Sequence, residues 1–180
     1  MKDVSYHILD IVQNSLNAGA RRVEIDLMEE SRTGRFTLKI TDNGQGMTAE
    51  MLKQATDPFF TTSVTKKVGL GLPLLKQNAE LTEGSFHIES VENKGTIVTA
   101  VFNSFHIDMI PMGNLAMTFR TLISSNPERD FVYRHRKDEE GFTLDTSEIQ
   151  NQLDGVCLNK REVLDYLTDF IQDNLKALKT

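Results

Sequence analysis

The chain has 180 residues, 39% of them hydrophobic and 26% charged, a balance that supports a buried core and argues against disorder. Its net charge of -6 is spread along the chain, with 11 basic against 13 acidic residues up to Asn103 and 9 against 13 beyond it, so neither part reads as a basic module and nucleic acid is not the expected partner. The single cysteine, Cys157, excludes an internal disulfide and suits a reducing cytoplasm. The N-terminus lacks the apolar core of a signal peptide, and no apolar run approaches ~18 residues, so no membrane span is expected.

Residues 3–18 predict an amphipathic helix. Val4, Ile8, Ile11, Val12 and Leu16 recur at helical spacing as the buried stripe. Asp3, His7, Asp10, Asn14 and Asn17 form a second, polar stripe at offsets of three or four, and Gly19 stops the helix. Two strands follow, around Val23–Leu27 and Phe36–Ile40. Asp42–Met47 is a glycine loop, and Thr48 caps a short helix over residues 49–55. Asp57–Val68 reads as a loop, and Gly69 opens a helix to about Glu83 with Pro73 in its first turn, where a missing amide costs little. Gly84–Ser90 and Gly95–Phe102 read as a hairpin.

Residues 104–180 read as a separate α/β piece with no recognisable site. Phe105–Ile110 is expected as a strand and Leu115–Ser124 as a helix. Asp130–Arg136 and Gly141–Asp145 are expected as paired strands. Asn159, with Glu162 three residues on, is expected to cap a final helix whose apolar face is Val163, Leu164, Leu167, Phe170, Ile171 and Leu175. That helix is expected to pack on the other elements or on a second copy, which leaves a docking or homodimer role open. Cys157 is expected as a free thiol in the core.

Two loops carry chemistry. Asp42-Asn43-Gly44-Gln45-Gly46-Met47 joins a carboxylate, an acceptor for an exocyclic amine, to glycines that let backbone approach a flat ligand. Gly69-Leu70-Gly71-Leu72 lies where a loop becomes a helix, and helix amides with the helix dipole attract phosphate; Lys66 and Lys67 add positive charge. Each loop alone is a common type. In chain order, however, Asp10 with Asn14, the Asp42-x-Gly44-x-Gly46 loop, Asp57-Pro58-Phe59-Phe60-Thr61-Thr62, Gly69-x-Gly71 and Gly95-Thr96 form a set.

That set resembles the GHKL superfamily, which includes DNA gyrase, the heat-shock chaperone of the same fold, sensor histidine kinases and MutL. The resemblance covers about residues 3–102. His7–Ala20 is similar to an N box of the MutL kind, whereas the chain from Asp57 onward is similar to a sensor histidine kinase. It implies an α+β two-layer sandwich of the Bergerat type, with helices on one face of a mixed, mostly antiparallel sheet. The ATP-binding domain would be residues 1–103 and the extension 104–180.

The resemblance also implies roles. Asn14 would coordinate Mg²⁺ between the phosphates of ATP. Asp42 would accept the adenine amine, with Thr96 supporting it through a hydroxyl or a water. Gly44 and Gly46 would admit the base, Gly69 and Gly71 would present amides to the phosphates, and Phe59 and Phe60 would hinge a lid. Met47, Thr62, Lys66, Lys67, Leu70 and Leu72 would complete the nucleotide surface.

Hydrolytic members carry a glutamate where Asp10 stands, so Asp10 is the candidate base but lies one methylene back, and efficient water activation is not expected. Lys67 replaces a glycine of the kinase pattern. His7 belongs to the N-box helix and is expected as a structural or pocket-edge residue rather than a phosphoacceptor, and no His/Cys cluster has metal-ligand spacing. The functional expectation is a cytoplasmic signalling kinase module acting on a protein partner, against a non-catalytic ATP sensor or a slow ATPase switch.

Overall fold

A computed structural model of the chain describes residues 3–57, 70–153 and 156–179. Helix α1 spans Val4–Asn17 and starts where Asp3 accepts a hydrogen bond from the Tyr6 amide. Its apolar stripe is fully buried at Val4, Ile8, Ile11 and Val12, with Leu16 packed at the margin. The stripe lies on Val23, Ile25 and Leu27 of β1 (Arg22–Glu30) and Phe36, Leu38 and Ile40 of β2 (Arg35–Asp42), which alternate inward as strand periodicity requires. Short α2 (Ala49–Gln54) is capped by Thr48, and α3 (Gly71–Leu81) buries Leu75 and Ala79. Strands β3 (Ser85–Val91) and β4 (Gly95–Asn103) close the expected hairpin.

The later region continues the same sheet. After α4 (Leu115–Ser125), β5 (Asp130–Lys137) pairs parallel with β1, and β6 (Glu140–Asp145) pairs antiparallel with β5. The strand order is β3-β4-β2-β1-β5-β6, one mixed sheet in which only the β1–β5 pairing is parallel. Helices α5 (Thr146–Gln152) and α6 (Arg161–Ala177) complete the chain. Leu115, Phe119, Phe131, Tyr133, Leu164, Leu167 and Ile171 join the same core as α1, β1 and β2. Among the described residues no helix is long and apolar enough to cross a membrane.

Four expectations change. Residues 104–108 form turns rather than a strand, because Asn103 and His106 side chains accept the amides of Phe105 and Asp108 locally. Helix α5 was not expected, although Asp145 with Glu148 three residues on is a cap signature, and Asp145 does accept the amides of Ser147 and Glu148. Helix α6 begins after Lys160 without a side-chain cap, so Asn159 does not cap it. Cys157 is exposed in the α5–α6 connection, where Leu158 instead takes the buried position.

Candidate nucleotide-binding site

The site is assembled at the C-terminal half of α1, where the end of β2, the β3–β4 turn and the start of α3 converge. Asp42, the last residue of β2, has both carboxylate oxygens held. The Gly44 amide donates to Oδ1 at 2.8 Å, and the Ser15 hydroxyl donates to Oδ2 at 2.6 Å. Ser15 Oγ also lies 3.3 Å from the Ile11 carbonyl, but a hydroxyl has one hydrogen and the shorter, charge-assisted contact takes it. Each oxygen keeps a further lone pair, so the carboxylate can still accept from an amine.

The glycine loop is fixed by backbone. Gln45 donates to the Ala18 carbonyl at 2.9 Å and accepts from the Asn93 amide at 2.7 Å. Gly46 has φ +62°, and a Cβ there would stand 2.1 Å from the Val91 carbonyl oxygen. Gly95 has φ +116°, and its Cβ would stand 1.9 Å from the Asp42 carbonyl oxygen. Neither position admits a side chain, for want of both conformation and space. Asn43 secures the other flank, its Oδ1 accepting from the amides of Arg21 and Arg22.

Thr96 lies directly across from Asp42 in the β2–β4 register. Its hydroxyl is bonded to Ser90 Oγ at 2.8 Å, and Ser90 also accepts from the Met47 amide. The hydroxyl that reaches Asp42 is Ser15's. Sequence reasoning did not single out Ser15, although it follows Asn14 directly; its burial against β2 depends on how α1 crosses the sheet, which periodicity does not report.

At the other side of α1, the start of α3 comes against Asp10 and Asn14. A Cβ on Gly71 would stand 3.4 Å from Asp10 Oδ2 and 3.5 Å from Asn14 Nδ2. Among the described residues no side chain caps the first turn of α3. Its amides and dipole therefore lie beside an exposed amide side chain and a half-buried carboxylate. Leu70 is exposed and Leu72 packs on the core. Phe59, Thr62, Lys66, Lys67 and Gly69 lie outside the described residues. Among the described residues no three His, Cys, Asp or Glu side chains group to hold a metal. The arrangement suits an ion that needs one or two protein oxygens beside phosphate and water, as Mg²⁺ does.

His7 leaves the polar stripe and is buried. Its Nε2 meets the Asn78 amide of α3 at 2.8 Å, which locks α1 to α3, and Nδ1 has no hydrogen-bond partner among the described residues. Burial lowers its pKa, opposed by the nearby Asp10 and Asp3. A buried ring held in this way is structural.

The family described as histidine kinase-, DNA gyrase B- and HSP90-like ATPase matches residues 3–105. The chain belongs to that family. Sporulation kinase D of Bacillus subtilis is 35% identical over 92 residues, 51% of this chain and 18% of that protein. Sensor histidine kinase ZraS of Salmonella typhimurium is 31% identical over 93 residues, 51% of this chain and 20% of that protein. The chain thus spans about a fifth of the length of these kinases. The Aquifex aeolicus MutL ATPase domain complexed with ADP superposes with a TM-score of 0.51 at 14% identity, over 86% of this chain and 68% of that one. At that identity the likeness is one of fold, and it extends well past residue 105 into the shared sheet. The ATPase-domain fold expected from sequence is therefore present, and residues 3–105 carry the family's ATP-binding domain.

Proposed function

We propose that this chain binds ATP with Mg²⁺ and transfers the γ-phosphoryl group to a protein partner, as a signalling kinase of the cytoplasm. The observation that carries the reading is the convergence of three features on one helix. Ser15 holds Asp42, while its neighbour Asn14 and, one turn earlier, Asp10 face the start of α3. Asp42 would take the adenine amine and the first turn of α3 the phosphates. Asn14 would hold the Mg²⁺, which when bound neutralises charge on the phosphates. Phosphoryl transfer asks mainly for positioning, which α1 and α3 supply from rigid elements. His7, buried on Asn78, and His135, buried on β5, are not placed to take a phosphoryl group, and the reading puts the acceptor on a partner. The kinase names of the relatives support the same reading.

A second reading is favoured by Asp10 of α1, which lies beside the start of α3: a slow ATPase that switches conformation. A carboxylate there can orient water, although its short side chain holds it back. Incubation with γ-labelled ATP separates the two. Label on a protein partner supports the kinase. Free phosphate that rises in Asp10→Glu and falls in Asp10→Asn supports the ATPase. Label that stays on ATP in both cases leaves neither standing.

A further inference from the structure

At the far edge of the sheet from β3, the chain carries a cleft of about 580 Å³. This is the size of a specific ligand or side-chain pocket. Its floor is Thr143, Leu144 and Asp145 at the end of β6. β6 is the terminal strand of the sheet, and its outer edge has no strand partner among the described residues. One wall is α5, through Glu148, Ile149 and Gln152. The other is α6, through Glu162, Val163, Tyr166 and Phe170, positions that recur at helical spacing on one face.

The chemistry of the walls is uneven. Ile149, Val163, Leu167 and Phe170 give an apolar interior, and Tyr166 is 66% exposed. The rim is acidic. Asp145 already holds Arg22, whereas Glu148 and Glu162 are exposed and make no ion pair among the described residues. An unpaired strand edge offers backbone hydrogen bonds, an apolar floor takes alternate side chains, and free carboxylates select cations.

We propose that this cleft docks an extended, cationic and apolar segment of a partner protein, which adds to the edge of β6 as a further strand between α5 and α6. Its lysine or arginine side chains face Glu148 and Glu162, and its apolar side chains enter between Ile149 and Phe170. The surface is separate from the nucleotide site, and the proposal holds whichever way ATP is used.

The test uses the whole chain and a short peptide alternating lysine and valine, followed by fluorescence anisotropy and amide hydrogen exchange. The expected result is binding that slows exchange in Glu140–Asp145. It should be lost when alternate peptide amides are N-methylated, and weakened about tenfold or more when glutamate replaces lysine. Glu148→Lys with Glu162→Lys should weaken the peptide to a similar degree while ATP affinity and melting temperature hold. Tyr166→Ala, at an exposed position, should cost several-fold. The proposal is overturned by no binding at millimolar peptide, or by undiminished binding of the N-methylated peptide. Protection confined to other strands would also overturn it. So would phenethylammonium filling the cleft more tightly than the peptide, which would make it a small-molecule pocket. Self-association of the chain that the two lysine substitutions abolish would make it a homodimer edge instead.

Discussion

Two regions of the sheet are held by different means. Around Asp42 the contacts are hydrogen bonds among backbone, the carboxylate and small hydroxyls such as Ser15, and Gly46 and Gly95 leave no room for a methyl group. Around β5 and β6 the work falls to large side chains. Phe119 stacks on Tyr133 at 4.1 Å, Phe142 meets both Tyr133 and Phe170 edge-on, and Tyr133 bonds His135, which in turn meets Glu29. The first kind of construction sets a ligand's geometry; the second supplies burial. Arg22 joins them, since its side chain holds Asp145 while its backbone is bonded to Asn43, the neighbour of Asp42.

This contrast predicts which substitutions damage stability and which damage binding. The largest effect is expected at Phe119→Ala. It removes a fully buried ring from the β5 side and should cost about 3–5 kcal/mol. Denaturant unfolding should register that loss, while ATP affinity of the folded fraction stays within a few-fold. A parallel collapse of affinity would show that the two regions are one mechanical unit. Gly95→Ala should damage both properties, because its positive φ alone costs about 1–3 kcal/mol and the new Cβ strikes the carbonyl of Asp42. Stability and ATP affinity measured together check this, and loss of stability alone would separate the turn from the site. Ser15→Ala should be the mildest. Removing one hydrogen bond to a charged group weakens ATP binding by about 1.5–3 kcal/mol at most, with a smaller change in melting temperature, since alanine is a good helix former. Calorimetry that finds ATP affinity unchanged would make Ser15 a packing residue only.

The same contrast explains what was legible in sequence. The glycine loop could be read because few residues satisfy a positive φ against a carbonyl, so Gly46 and Gly95 mark their own places. The apolar stripe of α1 was readable because period alone decides it. Ser15 was not, and of His7 only the structural or pocket-edge role was read and not its burial, since each is buried by the helix it meets or the strand it crosses, and that is a tertiary fact. Residues 104–180 gave strands and helices from pattern, but not their union with β1. Nothing local in Asp130–Lys137 distinguishes a strand that founds a new sheet from one that pairs parallel to a strand a hundred residues earlier. The exposed Cys157 follows the same rule, because one residue's slip exchanged it with Leu158.

The central claim is that Asp42, held by Ser15 and Gly44, reads the amine of adenine. The most direct measurement is calorimetric titration of the chain with ATP and with GTP in the presence of Mg²⁺. The account predicts that GTP binds at least about tenfold more weakly, because its carbonyl would face the carboxylate and leave a buried acceptor unpaired, a cost of about 1–3 kcal/mol. It predicts also that Asp42→Asn brings ATP down toward the GTP value. Equal affinity for the two nucleotides, unchanged in Asp42→Asn, would contradict it.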